Sequence, residues 1–343
     1  MSSLRPVRGT AEEILGLLRE WDAADDAVPL VIATSGSTGT PKRVVLSRDA
    51  MRASALATHE RLGGPGQWVL SLPPTFVAGV QVLYRSVVAG TEPVVTTDVV
   101  GARGRLRGRS YLSLVPTQLI RHLRDLHDAS AEEIEAIAEF DAVLVGGGPL
   151  NPVVRSEAER QGIRVVQTYG MSETCGGCVY DGRPLDGLEV SLDGNGEVLL
   201  GGPMLFDGYE GEPDRTAAAL CEGWFHTNDL GRLKPDGSLQ VLGRVDDVII
   251  SGGVKVPASA VAAMISAAED ALGVEVLGTP DHEWGERVVA VVATDNVISL
   301  AHVRSLVEPR EWAPRQLVVV DQIPLLANGK PDRVALRRMV LDA

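Results

Sequence analysis

The sequence predicts an α/β fold in which a large N-terminal domain precedes a smaller α+β domain. Along roughly the first half of the chain, short apolar runs alternate with helical stretches, which is the pattern of a parallel sheet covered by helices. Beyond Pro184, short strands are separated by Asp-Gly and Asn-Gly pairs, which are typical hairpin turns and indicate a small β-rich lobe.

The elements of the parallel sheet are predicted from short runs of apolar and β-branched residues that contain few charges. We expect strands at residues 30–33, 68–72, 111–115, 142–145 and 164–167, with helices at 78–89 and 131–140.

The later elements divide between the β-rich lobe and the second domain. Strands are predicted at 188–192, 197–200 and 239–242 in the lobe. The second domain is expected to contain a helix at 258–271 and strands at 274–277, 288–292 and 316–320. We place the boundary close to Asp246, which gives an N-terminal domain of residues 1–245 and a C-terminal domain of residues 246–343.

Composition excludes several classes of function. The formal charge of -14 argues against a nucleic-acid backbone or an anionic membrane surface as the main partner, because both repel an acidic protein. Residues 62–84 carry no charge, but the Gly63-Gly64-Pro65-Gly66 run and the Pro73-Pro74 pair would leave backbone groups unpaired in lipid, so no membrane span is predicted. Three cysteines and the lack of an export-like N-terminus predict a cytoplasmic protein.

A candidate phosphate-binding loop follows the first apolar strand. It reads TSGSTGTPK over residues 34–42 and lacks the contiguous Gly-Lys-Ser/Thr ending of a Walker loop. Its glycines let the backbone approach an anion, and its hydroxyls and lysine can contact phosphate oxygens. A flexible loop is the alternative interpretation. The candidate residues are Thr34, Ser35, Gly36, Ser37, Thr38, Gly39 and Lys42.

Four further segments, in order along the chain, carry a resemblance to a known family. They are QTYGMSE at 167–173, GWFHTNDLG at 223–231, GRVDDVIISGG at 243–253 and NGKPDR at 328–333. Together with the loop at 34–42, they resemble the motifs of the adenylate-forming superfamily, whose members activate carboxylates with ATP. The resemblance implies a first domain that binds ATP and a mobile second domain.

The resemblance also implies roles for individual residues. Lys330 would bridge the carboxylate and the α-phosphate of ATP, Thr168 would donate a hydrogen bond to that phosphate, and Glu173 would bind Mg²⁺, a cation that prefers oxygen ligands. Asp229, assisted by Arg244, would bind the ribose. The residues expected around the adenine are Gly146, Gly147, Gly148, Tyr169, Gly170 and Met171.

The same resemblance predicts a second half-reaction with coenzyme A. Asp246 would be the hinge about which the second domain rotates, and the thiol of CoA would enter beside Gly252 and Gly253. The chain departs from typical members because its phosphate loop begins as early as Thr34, so we expect most of one N-terminal lobe to be absent.

Two stretches, LPPTFVAGVQVLYRS at 72–86 and TCGGCVYDGRPLDG at 174–187, resemble the short o-succinylbenzoate-CoA ligases of menaquinone synthesis. This subgroup implies that an aromatic dicarboxylic acid, ATP and CoA are the small-molecule partners. A ligase for another aryl or acyl acid, with CoA or a carrier protein as acceptor, and a silent nucleotide-binding subunit are the alternatives. The motif carboxylates and Lys330 favour an enzyme, and a homodimer is compatible with the sequence. The predicted substrate-binding residues are Thr75, Phe76, Gly79 and Arg85.

Arg85 is the only charged residue between Arg61 and Glu92, and it lies late in a predicted apolar helix. Its guanidinium would either extend to water or be held by a buried anion. Because o-succinylbenzoate keeps one carboxylate after activation, we predict that Arg85 binds that second carboxylate. Cys175 and Cys178 are interpreted as incidental thiols, since a structural zinc site needs a second ligand pair.

Overall fold

The computed structural model describes residues 4–34, 42–124, 131–268, 271, 273–325 and 331–341. The chain divides into two compact units. One comprises residues 1–191, 199–226 and 235–239, and the other comprises residues 192–198, 227–234 and 240–343. The domain boundary at Asp246 stays a prediction.

The strands, numbered in chain order, are β1 (Arg5–Pro6), β2 (Leu30–Ala33), β3 (Arg43–Leu46), β4 (Gln67–Leu70), β5 (Val94–Val95), β6 (Ser110–Leu114), β7 (Ala142–Val145), β8 (Val165–Met171), β9 (Gly176–Tyr180), β10 (Arg183–Pro184), β11 (Glu189–Leu192), β12 (Glu197–Gly201), β13 (Gly208–Tyr209), β14 (Leu220–Cys221), β15 (Trp224–Leu233), β16 (Leu239–Arg244), β17 (Val248–Ser251), β18 (Val254–Pro257), β19 (Gly273–Asp281), β20 (Gly285–Ala293) and β21 (Gln316–Val320).

The α-helices are α1 (Ala11–Ala23), α2 (Arg48–Arg61), α3 (Val77–Ala89), α4 (Val99–Ala102), α5 (Pro116–Arg124), α6 (Ala131–Ala138), α7 (Pro152–Arg160), α8 (Pro213–Ala219), α9 (Ala258–Ala268), α10 (Leu300–Ser305) and α11 (Arg333–Leu341).

The predicted parallel sheet is confirmed. Its strands lie in the order β10-β9-β8-β7-β6-β4-β5, and the pairs from β5 to β8 are parallel. Buried residues of β4, β6 and β7 pack against α4 to α7 in one hydrophobic cluster. The fold class predicted from the sequence, a mixed α/β protein, is therefore correct.

Two predicted strands of this sheet differ from the observed strands by two or more residues at their C-terminal ends. β4 ends at Leu70 rather than at residue 72, before the Pro73-Pro74 turn, where proline cannot donate to a ladder. β8 continues from Val165 to Met171, well beyond residue 167, because its second half pairs antiparallel with β9. This extension places the QTYGMSE motif at the end of a sheet strand.

A four-stranded sheet joins two segments that are far apart in the sequence. Its order is β1-β2-β3-β13, and β13 pairs antiparallel with β3 so that Tyr209 lies opposite Val44. Glu210, directly after β13, forms an ion pair with Arg43 of β3. The pairing therefore brings the segment at 206–210 next to the end of the phosphate loop.

The other two sheets are antiparallel for the most part. One has the order β11-β12-β15-β14, with β16 paired to β15, and Asn195-Gly196 lies between β11 and β12 with Gly196 at φ +84°. The other has the order β18-β17-β20-β19, with β21 parallel to β20, and packs against α9 and α10. The strand predicted at 316–320 is confirmed to the residue.

In the described part of the chain, no helix combines the length and the apolar character that a membrane crossing requires. The uncharged stretch at 62–84 is divided between β4, the proline turn and the beginning of α3.

Candidate active site

The two ends of the phosphate loop meet at the ends of β2 and β3. The backbone N–H of Thr34 donates to the carbonyl of Lys42 at 2.8 Å, and the N–H of Lys42 donates to Thr34 Oγ1 at 3.2 Å. These two bonds close the loop at its base. The candidate residues Ser35, Gly36, Ser37, Thr38 and Gly39 lie outside the described residues.

Lys42 lies beside Glu173, the predicted magnesium ligand. Its Nζ is 3.7 Å from Glu173 Oε1, and the hydroxyl of Tyr209 donates to the same oxygen at 2.8 Å. The Lys42 ammonium also lies 5.3 Å from the centre of the Tyr209 ring. Glu173 is only 5% exposed, and inside the protein the Lys42 ammonium balances its charge while the Tyr209 hydroxyl gives it a hydrogen bond. We call these three residues the Glu173 cluster.

Tyr209 is a member of this cluster that the sequence analysis missed. It lies outside all five motifs, and only the pairing of β13 with β3 brings it to Glu173. Burial, followed by the nearby Glu173 carboxylate, raises the pKa of Tyr209 well above its usual range. The hydroxyl therefore stays protonated at neutral pH and acts as a donor.

The donor chemistry of the Glu173 cluster fits magnesium. A carboxylate oxygen is a hard ligand, and Mg²⁺ is usually held by one or two carboxylates together with substrate phosphates and water. Among the residues described, no group of three or more His, Cys, Asp or Glu side chains could hold a metal ion.

The glycine turn after β7 approaches Thr168 in the middle of β8. Thr168 Oγ1 lies 3.4 Å from the carbonyl of Val145, and a Cβ added to Gly146 would lie 2.2 Å from Thr168 Oγ1. Gly147 has φ +82°, which a larger residue would adopt only with strain. Gly146 and Gly147 are therefore required for this close approach. Gly148 follows in the same turn and is exposed.

The rest of the adenine motif continues along β8. Tyr169 is half-buried, and a Cβ on Gly170 would lie 2.0 Å from the carbonyl of Gly176 on β9. The N–H of Met171 donates to Thr174 Oγ1 at 2.9 Å, just before the short helical turn that carries Glu173. The antiparallel pairing with β9 thus fixes the backbone that carries both Thr168 and Glu173.

Arg85 is buried in α3, with only 4% of its surface exposed. The interpretation that its guanidinium extends to water is therefore wrong. Its Nη2 donates to the hydroxyl of Tyr180 at 3.3 Å, and its guanidinium lies 5.0 Å from the centre of the Trp68 ring. Within the described residues, Arg85 forms no ion pair and its Nε has no hydrogen-bond partner.

Other polar groups surround this arginine. The Tyr180 hydroxyl also shares a hydrogen bond with Thr58 Oγ1 at 3.0 Å. His59 is 5% exposed, and burial, followed by the charge of Arg85, lowers its pKa to about 4. The imidazole is therefore neutral at pH 7 and adds no second positive charge. We call Arg85, Trp68, Tyr180, Thr58 and His59 the Arg85 cluster.

The remaining predicted substrate residues lie at the start of α3. Phe76 is the N-cap residue of the helix and is 40% exposed, while Thr75 lies in the preceding turn. A Cβ on Gly79 would lie 2.2 Å from the carbonyl of Pro73. Gly79 therefore has a packing role, because it lets the helix contact the proline turn.

The predicted ribose residues lie together in the second unit. Arg244 Nη1 is 3.5 Å from Asp229 Oδ1, and its Nε donates to Asp246 Oδ1 at 3.1 Å. Asp229 is 7% exposed. Asn228 has φ +62°, a left-handed conformation that asparagine adopts more readily than most residues.

The other predicted residues of the second unit lie on either side of β17. Asp246 is in the short helical turn before this strand and is exposed. Gly252 and Gly253 follow the strand with φ +60° and +80°, and a Cβ on Gly252 would lie 2.6 Å from the Trp284 ring. Lys330 lies outside the described residues.

Cys175 and Cys178 are fully buried, and burial is the main cause that raises the pKa of both thiols, that of Cys178 to about 12. Neither forms a disulfide. Both are therefore protonated thiols at neutral pH and not thiolate nucleophiles.

Comparisons with known proteins agree with the motifs. The family described as AMP-binding enzyme matches residues 9–210. The chain is 43% identical to the "Probable 2-succinylbenzoate--CoA ligase" of Mycobacterium tuberculosis over 95% of this chain and 88% of that protein. It is 31% identical to the "2-succinylbenzoate--CoA ligase" of Listeria monocytogenes serotype 4b over 96% of this chain and 73% of that protein.

A solved structure shares the fold. It is o-succinylbenzoate CoA synthetase (MenE) from Bacillus subtilis in complex with the acyl-adenylate intermediate OSB-AMP. The TM-score is 0.76 at 26% identity, over 90% of this chain and 68% of that one. The same Bacillus protein has also been solved in complex with ATP and a magnesium ion. On the strength of the family match and the 43% identical relative, the chain belongs to the AMP-binding, adenylate-forming enzyme family.

Proposed function

We propose that the protein is an AMP-forming acid–thiol ligase that converts o-succinylbenzoate, ATP and CoA to o-succinylbenzoyl-CoA, a step of menaquinone synthesis. The names of the most similar relatives support the reaction class and the substrate. One observation carries the substrate assignment. Arg85 is a buried cation that forms no ion pair with any described residue.

The first half-reaction needs a site where two anions can meet. A carboxylate oxygen of the acid attacks the α-phosphorus of ATP, the bond to the β-phosphate oxygen breaks, and pyrophosphate leaves. We assign Lys42 and Thr168 as donors to phosphate oxygens, and we assign Lys330 the bridging role that the family motif implies. When bound at Glu173, magnesium supplies positive charge that neutralises the phosphates.

The second half-reaction transfers the acyl group to sulfur. The thiolate of CoA attacks the acyl carbon of the adenylate, the bond to the phosphate oxygen breaks, and AMP leaves. We assign Gly252 and Gly253 to the entry of CoA and Asp246 to the hinge of a C-terminal domain that begins there. Asp229 and Arg244 are assigned to the ribose hydroxyls of the nucleotide.

Substrate recognition is assigned to α3 and its neighbours. Only the succinyl carboxylate of o-succinylbenzoate is activated, so the ring carboxylate enters the acyl pocket as an anion. Burying an unpaired carboxylate costs several kcal/mol, and a planar guanidinium can offset that cost with two parallel hydrogen bonds. We therefore assign the ring carboxylate to Arg85, with Thr75, Phe76 and Gly79 on the approach to it.

The test is ATP-dependent pyrophosphate release from a panel of aromatic and aliphatic acids, measured with and without CoA. We expect o-succinylbenzoate to be the preferred acid, and we expect CoA to convert its adenylate to the thioester with release of AMP. Preference for a monocarboxylic acid would contradict the substrate assignment. The absence of pyrophosphate release with every acid would contradict the proposed reaction.

A further inference from the structure

We propose that Tyr209 is a positioning residue that keeps the Glu173 carboxylate available to magnesium by holding it against the pull of Lys42. This inference rests on the proposed function, in which Glu173 binds the metal that accompanies ATP. Tyr209 lies outside the five family motifs, and its hydroxyl and its position beside Glu173 support this role.

The two neighbours of Glu173 compete for one oxygen. The hydroxyl of Tyr209 lies 2.8 Å from Glu173 Oε1, which is a normal hydrogen-bond distance, whereas the Lys42 ammonium is 3.7 Å away. A lysine and a carboxylate in a buried site attract each other strongly. The structure thus has the neutral donor at hydrogen-bond distance from the carboxylate oxygen, and the cation in a longer ion pair with the same oxygen.

Tyr209 is fixed from several sides. Its N–H donates to Thr216 Oγ1 at 2.9 Å, and its ring packs edge-on against Phe206 at a centroid distance of 4.9 Å. Arg215 lies 5.2 Å from the centre of the same ring. The backbone N–H of Phe206 also donates to the carbonyl of Glu173 at 2.9 Å. The segment at 206–209 therefore holds both the side chain and the backbone of Glu173.

In the Glu173 cluster, Glu173 would bind the metal and Lys42 would contact phosphate, and Tyr209 would keep these two roles apart. If Glu173 closed onto Lys42, the carboxylate would lose part of its negative charge as a metal ligand, and the ammonium would be less free to contact phosphate. A hydroxyl donor fixes the orientation of the carboxylate without neutralising it. Removal of such supporting groups around metal ligands typically weakens metal binding by roughly 10- to 100-fold.

The experiment is the Tyr209→Phe substitution, which removes only the hydroxyl and keeps the ring. ATP binding is measured by calorimetry at a series of Mg²⁺ concentrations, without any acid substrate. We expect the half-saturating Mg²⁺ concentration to rise by roughly 10- to 100-fold. Tyr111→Phe is the matched control, because it removes a buried hydroxyl that donates to the carbonyls of Leu62 and Gly64 instead. An unchanged half-saturating concentration in Tyr209→Phe would overturn the proposal.

A second variant tests the competition with Lys42 directly. In a Lys42→Met background, no ammonium remains to draw Glu173 away, so adding Tyr209→Phe should change the Mg²⁺ dependence much less than it does in the wild type. An undiminished effect in that background would overturn the role of Lys42. Circular dichroism and melting temperature establish that each variant is folded. Failure of the wild-type protein to bind ATP in a Mg²⁺-dependent manner would contradict the proposed function and not this inference alone.

Discussion

Two buried charges in the first unit have opposite surroundings. Glu173 is 5% exposed and has both a cation, Lys42, and a hydroxyl donor, Tyr209, beside it. Arg85 is 4% exposed, but its neighbours in the described structure are neutral, since it contacts the Tyr180 hydroxyl and the face of Trp68 and lies near a neutral His59. Among the described residues, a counter-charge therefore lies beside the anion Glu173 and none lies beside the cation Arg85.

This difference indicates which charge is completed by a ligand. Burying a charge without a partner is costly, so a protein retains one only where something else offsets that cost. At Glu173 the protein itself offsets it. At Arg85 the aromatic face and one hydroxyl offset only part of it. A substrate carboxylate would complete the Arg85 cluster, whereas the Glu173 cluster is already balanced before a nucleotide arrives.

Replacing Glu173, the buried charge that has a counter-charge, should have the largest effect on the reaction rate. Glu173→Gln keeps the shape but removes the negative charge, so the proposed magnesium ligand is lost and Lys42 loses its counter-ion. We expect the rate of pyrophosphate release to fall by roughly 10²- to 10³-fold, with a higher Mg²⁺ requirement. Stopped-flow measurement of pyrophosphate would check this. Near-normal turnover at low Mg²⁺ would mean that another group holds the metal.

Replacing Arg85, the buried charge without a counter-charge among the described residues, should alter the selectivity for the acid substrate rather than the use of ATP. Arg85→Met removes the guanidinium and keeps an apolar stem, so we expect the KM for o-succinylbenzoate to rise by about 100-fold while the KM for ATP changes little. The preference over an analogue that lacks the ring carboxylate should narrow. Arg52→Met, at an exposed arginine paired with Asp22, is the control. If Arg85→Met keeps the wild-type preference for the diacid, a substrate carboxylate does not pair with Arg85.

Removing the hydroxyl that supports Arg85 should have a smaller effect. Tyr180→Phe eliminates the 3.3 Å contact with Arg85 Nη2 and the bond to Thr58, but the guanidinium keeps its charge. We expect the KM for o-succinylbenzoate to rise by about 10-fold or less, because one hydrogen bond to a charged group is lost. Steady-state kinetics of Tyr180→Phe beside Tyr111→Phe would measure it. A rise in this KM as large as that in Arg85→Met would indicate that Tyr180 contacts the substrate directly.

The smallest effect concerns the titration of His59. Its pKa is lowered from 6.5 to about 4, first by burial and then by Arg85. In Arg85→Met we expect this pKa to rise but to stay below 6.5, because burial remains. As pH falls from 6.5 towards 4, the unfolded chain binds a proton that the folded protein does not, so the free energy of unfolding should decrease over that range.

NMR titration of the His59 imidazole in the wild type and in Arg85→Met measures the shift directly. Thermal unfolding between pH 7 and pH 4 measures its consequence for stability. An unshifted His59 pKa in the wild type would show that the imidazole is hydrated and that the Arg85 cluster is more open than the distances indicate.

The five motifs could be found from the sequence because each depends on local chemistry. Gly252 has a positive φ and Asn228 tolerates one, and outside the motifs the strand at 142–145 was predicted with its observed ends. Tyr209 could not be found in this way, since its contact with Glu173 depends on the pairing of β13 with β3. Hydrophobic periodicity also could not decide whether Arg85 reaches water, because the helix is apolar on more than one face.

The sequence by itself determined the α/β class, eleven of the twenty-one strands of the described residues and the membership of the adenylate-forming family, because these follow from short-range periodicity and from residues that are close together in the chain. Only the tertiary structure decided which charges are buried and what lies beside them. The environment of Glu173 and that of Arg85 are built by strands and helices that are distant in sequence, and the free energy of a buried charge depends on every group around it.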